Sequence, residues 1–175
     1  MDGAWQKIVP AIGWLIYDID QDAYYRCAGA PDYWSELLGF DIESGSFTPT
    51  LSFATPGDLG VSYAAQNGRY LRIADFVLAL IHLQATPTHT TASGAARVAG
   101  LPFSVDNPLV ATPFQHNANL TYPSGNTSIL IRPEAGTTYC QLIGLGSGST
   151  GSPGTAQMPS GATQVVRGFV IYARA

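Results

Sequence analysis

The chain has 175 residues, of which 46% are hydrophobic and only 11% are charged, with a formal net charge of −4. Globular proteins usually carry about 25% charged residues, so this composition is typical of chains that bury area against partner subunits or display neutral loops. The sequence has no basic cluster or basic-aromatic stripe, which excludes the electrostatic footprint of a nucleic-acid-binding protein.

The N-terminus carries no targeting signal that we recognise. The opening residues, MDGAWQKIVP, include an acid at position 2 and lack the basic segment and long apolar run of a secretory signal. The longest apolar run, residues 76–81, is too short to span a bilayer. We therefore expect a protein that is made in a cytoplasm and does not insert into a membrane.

The first 38 residues predict a small β-hairpin module. Residues 13–17 and 23–27 are rich in aromatic and aliphatic side chains and flank a turn at 18–22, with Trp34 placed to cap the pair. Gly, Ser and acidic residues at 39–46 indicate an exposed linker. The predicted organisation is a module at 1–38, a linker at 39–46 and a main domain at 47–175.

The charges of the chain are distributed unevenly. Residues 1–50 hold eight acids against one lysine and one arginine, whereas the remainder holds six arginines against four acids. An acidic front end can dock on a basic partner or be a solvated face, and the sequence leaves both interpretations open.

The sequence of the main domain predicts a succession of short strands. Gly and Pro interrupt almost every window of ten residues, and helical periodicity is nearly absent. The predicted strands are 47–53, 60–64, 69–73, 76–84, 95–99, 127–131, 138–143 and 165–173. Eight strands predict an all-β fold, a jelly-roll-like β-sandwich.

One hairpin stands out within this domain. Residues 70–73 and 76–83 are joined by Ala74-Asp75, a two-residue loop in which Asp tolerates a left-handed backbone. The second arm is apolar on both faces, so we expect the opposing sheet to cover one face and a neighbouring subunit the other. Residues 102–125 and 144–164 show no strand pattern and are predicted to be loops that are either functional or poorly ordered, and we expect partner contacts there.

The sequence contains short matches to nucleotide-binding and metal-binding motifs, but the residues around them do not fit a functional site. Residues 146–151 match a dinucleotide-binding fingerprint, but prolines and glycines follow where a helix must begin. The three histidines share no metal-ligand spacing, and no G-x-S-x-G elbow occurs. We predict no catalytic residue, no cofactor and no metal. Cys27 and Cys140 are either free or paired, and the sequence does not decide between the two.

Residues 46–103 contain an ordered set of motifs that resembles a known module. The set is Ser46-Phe-Thr-Pro-Thr-Leu-Ser-Phe53, Val61-Ser-Tyr63, Gly68-Arg-Tyr-Leu-Arg-Ile73, the apolar strand at 76–83 and Ala99-Gly-Leu-Pro-Phe103. It resembles a module of tailed-bacteriophage virion structural proteins, in which "tWTPtl", "G-x-Y-x-k-I-G" and "I-S-G-L-P-F" recur. The front hairpin, with Trp14, Tyr24 and Trp34, resembles a short element of phage fibre proteins. This sequence departs from the phage module at two places. Phe47 stands where the module usually has Trp, and Ala74-Asp75 stands where Gly-Asn is common.

The resemblance implies a jelly-roll-like domain that assembles as a homotrimer on the surface of the virion, and such a protein is made in the host bacterial cytoplasm. The absence of a complete catalytic motif predicts that the protein is not an enzyme. It is either a head-decoration (cement) protein of the capsid or the knob of a tail fibre. Its partners are itself and other phage virion proteins of the capsid or tail. The N-terminal module is the docking segment, and its docking candidates are Trp5, Trp14, Tyr24 and Trp34.

An alternative function is a tail-fibre receptor-binding or carbohydrate-binding module that recognises host surface glycans. The binding candidates in the predicted loop are Tyr122, His116, Asn117 and Asn119. Among the aromatic side chains, Tyr63, Tyr70, Tyr122 and Tyr139 are candidates for stacking on a saccharide.

Overall fold

The structure, a computed structural model, describes residues 10–21, 23–29, 33–36, 41–110, 112–113, 116–147 and 149–175. The chain divides into two compact units, Met1–Asp41 and Ile42–Ala175. Every regular element in the described ranges is a β-strand. No helix in these ranges is long and apolar enough to cross a membrane.

The N-terminal unit contains a three-stranded antiparallel sheet of β1 (Leu15–Asp18), β2 (Ala23–Gly29) and β3 (Tyr33–Glu36). The predicted hairpin forms between β1 and β2. The Asp18 carboxylate accepts the backbone N–H groups of Asp20 at 3.0 Å and Gln21 at 3.3 Å, which closes the turn. Trp34 lies in β3, where it pairs with Cys27 and extends the sheet by one strand.

The described part of the second unit forms twelve strands. In chain order they are β4 (Ile42–Phe47), β5 (Thr50–Thr55), β6 (Gly60–Ile73), β7 (Phe76–Thr88), β8 (Ser93–Ala99), β9 (Val105–Val110), β10 (Thr112–Pro113), β11 (His116–Ala118), β12 (Asn126–Pro133), β13 (Tyr139–Gly146), β14 (Ser149–Gly151) and β15 (Gln164–Arg174). One sheet has the order β10-β12-β13-β8-β5, with β14 paired to β13. The other sheet has the order β11-β15-β7-β6-β4, with β9 paired to β15.

The core of this unit is built by alternate residues of strands from both sheets. Strand β7 contributes Val77, Ala79, Ile81 and Leu83, and the other sheet contributes residues of β5, β8, β12 and β13 that include Leu51, Phe53, Val98, Ile131 and Leu142. A strand whose side chains alternate between two faces can bury one face only, so two sheets must pack face to face. The predicted all-β sandwich is confirmed, and a jelly-roll order of connections stays a prediction.

Residues 42–46 differ from the sequence prediction, which assigned 39–46 to a linker. They form most of β4, an edge strand whose residues Ile42 to Phe47 pair with Ile73 to Gly68 of β6. Gly45 lies beneath the ring of Tyr70, and a Cβ atom there would come within 2.7 Å of that ring. The glycine that looks like part of a linker is therefore required by a covering side chain.

The segment 102–125 also differs from its prediction. It contributes β9, β10 and β11, which the sequence pattern hides because Pro108 and Pro113 lie within two of them. Proline is tolerated in strands where its nitrogen does not face a partner. In the hairpin at 74–75, the residue with a positive φ is Ala74, at 52°, and not Asp75.

Candidate functional site

The outer face of the sheet that contains β7 is open in the single chain. Val77, Ile81 and Leu83 are buried in the core, whereas Phe76 is 59% exposed and Leu80 is 50% exposed on the opposite face. The expectation that β7 is buried on both faces therefore holds within one chain for one face only. That a neighbouring subunit covers the second face of β7 stays a prediction.

Exposed apolar side chains continue across three adjacent strands of this outer face. Cross-strand register places Ile42 beside Ile73, Ile73 beside Phe76, and Leu71 beside Leu78. Directly opposed residues project to the same face, with Cβ atoms about 4.5–5.5 Å apart. We call the exposed set the apolar patch; its members are Ile42, Leu71, Ile73, Phe76 and Leu80.

Further along the same strands the outer face becomes polar. Asn67 pairs with His82, and His82 pairs with Arg167, so these three residues form a row across β6, β7 and β15. His116 takes the register position opposite Arg167 on β11. Arg69 lies two residues from Asn67, opposite Leu80. We call Asn67, Arg69, His82 and Arg167 the polar row.

Two adjoining depressions open over the polar row. The larger has a volume of about 550 Å³ and is lined by Asn67, Arg69, Leu80, Ile81, His82, Arg167 and Gly168. The smaller, of about 380 Å³, is lined by Ser46, Phe47, Thr48, Gln66, Asn67, Gly68 and Arg69. Both volumes fall in the range of sites that hold small molecules. The two depressions meet at Asn67 and Arg69.

The larger depression is cationic. No acidic residue among those described lines either depression, and Arg69 and Arg167 form no ion pair with any of them. His82 also lines the larger depression, and its buried Nε2 has no hydrogen-bond partner among the described residues.

The binding candidates predicted in the loop are distributed differently from the expectation. His116 and Asn117 belong to β11 and pair through their backbones with Arg167 and Val166. Asn119 has a positive φ of 59°, and its Nδ2 donates to the carbonyl oxygen of Thr163 at 2.7 Å, so it is a turn residue. Tyr122 is 46% exposed. No hydrogen bond or ring contact among the described residues joins Tyr122 to Asn119.

Three of the four tyrosines considered for saccharide stacking are engaged in the fold. The Tyr63 hydroxyl accepts the backbone N–H of Leu51, the Tyr70 hydroxyl donates to Glu43, and the Tyr139 ring lies 4.2 Å below the guanidinium carbon of Arg97. Of this set, Tyr122 alone has a broadly exposed ring.

The docking candidates of the N-terminal module are exposed where they are described. Trp14 and Tyr24 are exposed, and the Tyr24 ring packs against Tyr17 with centroids 4.8 Å apart. Trp34 is half-buried in its strand. Trp5 lies outside the described residues. Other exposed large apolar residues of this unit are Ile12, Leu15, Ile16, Ile19 and Tyr33.

The described residues bring no group of three or more His, Cys, Asp or Glu side chains close enough to hold a metal ion. Cys27 and Cys140 are both free and buried. Burial raises the pKa of the Cys140 thiol far above its ordinary value, so that residue is an inert apolar group of the core.

Comparisons with known proteins bear on the fold. No protein-family model and no curated protein matches the sequence. Among solved structures, the fold is similar to part of the Dettilon tailspike protein (gp208), with a TM-score of 0.57 and 17% sequence identity. The similarity covers 74% of this chain and 23% of that one, so the chain spans less than a quarter of the tailspike's length. The likeness establishes a shared β-rich fold.

Sequence reasoning missed the polar row as a unit. Its members come from residues 67–69, 82 and 167, and only strand register places them together. One signal was present, because the hairpin loop at 74–75 sets Asn67 opposite His82 by counting back along both arms. The position of Arg167 required knowledge that β15 pairs with β7.

Proposed function

We propose that the chain is a structural protein of a bacteriophage virion, a homotrimeric surface component that docks through its N-terminal segment. The observation that carries the proposal is the similarity of the fold to part of a tailspike protein. The motif pattern of residues 46–103 supports the same family on independent grounds. The role we propose is structural and non-catalytic.

The apolar patch supports self-association. Large side chains exposed on adjacent strands form a contiguous apolar surface, which soluble monomers rarely present and which marks an interaction site. A chain with few charges on its surface suits burial against identical copies. The proposed trimer places the apolar patch of each copy against its neighbours.

Native mass spectrometry of the purified chain tests the trimer. We expect a trimeric mass for the wild type and a monomeric mass for Leu80→Glu and Phe76→Glu, since a charge placed within an apolar interface is costly. Tyr122→Glu is the matched control, because it adds the same charge at an exposed aromatic position outside the apolar patch. A monomeric wild type, or trimeric charge variants, would contradict this part of the proposal.

The N-terminal unit supports docking because many of its large apolar side chains are exposed on a small sheet. Deletion of residues 1–38 should abolish incorporation into particles while leaving the sandwich folded. Normal incorporation of the shortened chain would reject the docking role. The number of copies per particle distinguishes the two proposed locations on the virion. Many copies indicate decoration of the head, and a handful indicate a tail fibre.

A second candidate function is recognition of a host surface saccharide. It is favoured by the two adjoining depressions of the polar row, whose lining includes amide, hydroxyl and guanidinium groups. A glycan array probed with the purified chain tests it, and binding should disappear when the polar row is altered. Absence of any bound glycan would leave the structural role alone.

A further inference from the structure

We propose that the two depressions together form a binding site for an acidic saccharide, in which the polar row holds the anionic group and the smaller depression holds neighbouring hydroxyl groups. This inference deepens the second candidate function by naming residues and a ligand class. It does not depend on the trimer, so the two can fail separately.

The anionic end of the ligand is indicated by the arginines. Arg72, Arg132 and Arg174 of the same unit each have an acidic partner and Arg97 lies over the Tyr139 ring, whereas Arg69 and Arg167 have neither kind of partner among the described residues. Two uncompensated guanidinium groups on one open surface give it a positive potential, which favours the binding of an anion. Because guanidinium presents a planar fork of N–H donors, the preferred anions are carboxylate and phosphate.

His82 and Asn67 complete the part of the site that binds the anionic group of the ligand. Register places His82 between Asn67 and Arg167 in one cross-strand row. Both His82 and Asn67 line the larger depression, and the Asn67 amide supplies both a donor and an acceptor.

The smaller depression has a lining suited to hydroxyl groups. Its lining includes Ser46, Thr48 and Asn67, whose side chains carry hydroxyl and amide groups. The Phe47 ring covers Gly68 on the core-facing side of the sheet, where an added Cβ would come within 2.7 Å of the ring. The hydroxyl and amide groups can donate to and accept from the hydroxyl groups of a sugar.

The site can be tested on the whole chain by following backbone amide signals in NMR titrations with four probes. The probes are glucuronate, glucose 1-phosphate, inorganic phosphate and methyl glucoside. We expect the two acidic sugars to shift the amides of residues 66–69, 80–82 and 167–168. Methyl glucoside and inorganic phosphate should each cause smaller shifts at the same concentration. Methyl glucoside lacks the anionic group, and inorganic phosphate lacks the sugar ring.

Variants assign the interaction to the polar row. Arg69→Gln and Arg167→Gln should each weaken glucuronate binding about tenfold, the effect of one lost charge-assisted hydrogen bond. Arg167→Lys should keep only part of the affinity, because lysine lacks the fork. Arg132→Gln is the matched control on the other sheet and should bind normally. A dispersed amide spectrum in each variant shows that the chain is folded.

Three outcomes would overturn the inference. The first is binding of inorganic phosphate as tight as that of both acidic sugars, which would indicate a general anion site. The second is normal glucuronate binding by Arg69→Gln and Arg167→Gln. The third is loss of the oligomer in these two variants, which would show that the arginines hold a second copy of the chain. Glucuronate binding by a monomeric protein would instead support this inference while contradicting the trimer.

Discussion

The ring of Phe103 meets the ring of Tyr70 edge to face, with centroids 5.2 Å apart and an angle of 87° between the planes. The guanidinium carbons of Arg72 and Arg174 lie 5.9 and 5.8 Å from the Phe103 centroid. Phe103 therefore joins the motif at 99–103 to the motif at 68–73 and to the last strand. These contacts link parts of the chain that the sequence separates by 30 to 70 residues.

We expect Phe103→Ala to reduce the free energy of unfolding by about 2–3 kcal/mol, less than for a fully buried ring because Phe103 is only partly buried. The loss comprises buried apolar area, the edge-to-face pair and two cation–π contacts. Urea denaturation measures the change. Tyr122→Ala, an exposed aromatic position, is the control, and an equal loss in both variants would contradict a special role for Phe103.

The ion pair between Arg72 and Glu43 predicts a second effect. Arg72 Nε donates to Glu43 at 2.9 Å, and only 6% of the Arg72 side chain is exposed. Glu43→Gln should destabilise the fold by about 1–3 kcal/mol, a value reduced because Glu43 is itself partly exposed. The matched control is Glu134→Gln, which weakens the more exposed pair with Arg132 and should cost less than about 1 kcal/mol. Thermal unfolding compares the two variants.

Gly100 and Gly136 provide a matched pair of backbone tests. Both have positive φ, at 88° and 72°, but an added Cβ at Gly100 would come within 2.5 Å of the Thr48 carbonyl oxygen, whereas Gly136 has open space. Gly136→Ala should cost about 1–2 kcal/mol for the left-handed backbone alone. Gly100→Ala should cost about 2–4 kcal/mol because a steric clash is added. Urea denaturation measures both variants, and an equal loss of unfolding free energy in the two would show that no steric clash occurs at Gly100.

The Asp58 carboxylate predicts a pH dependence of stability. It accepts the backbone N–H groups of Thr90, Thr91 and Ala92 and the Thr91 hydroxyl. The N–H of Thr90, followed by that of Thr91, holds the pKa of Asp58 well below its ordinary value. Because the folded pKa is the lower one, the stabilisation is complete above about pH 4, the unfolded value, and is lost as the pH falls through the folded pKa.

Asp58→Asn should therefore lower the melting temperature at neutral pH, and its difference from the wild type should shrink progressively as the solution is acidified. Thermal unfolding over a pH series measures both quantities. Asp75→Asn, at a largely exposed carboxylate, is the control and should change the melting temperature little. A difference that stays constant across the acid range would show that the Asp58 charge does not stabilise the fold.

Much of the fold could be predicted because strand signals are local. Alternation of apolar residues, Gly and Pro at strand ends and the two-residue loop at 74–75 indicate an all-β protein and one hairpin register. The edge strand β4 was missed because its Ser and Gly residues resemble a linker. The glycine at position 45 is required because the Tyr70 ring lies above it, a contact made between two strands.

The candidate site was decided by tertiary structure. Arg167 lies opposite His82 because β15 pairs with β7, and this pairing joins residues 85 positions apart that no local pattern records. The apolar patch likewise depends on which face of β7 the second sheet covers. Residue types and strand alternation are properties of the sequence alone, whereas register and sheet order depend on the balance of all long-range pairings.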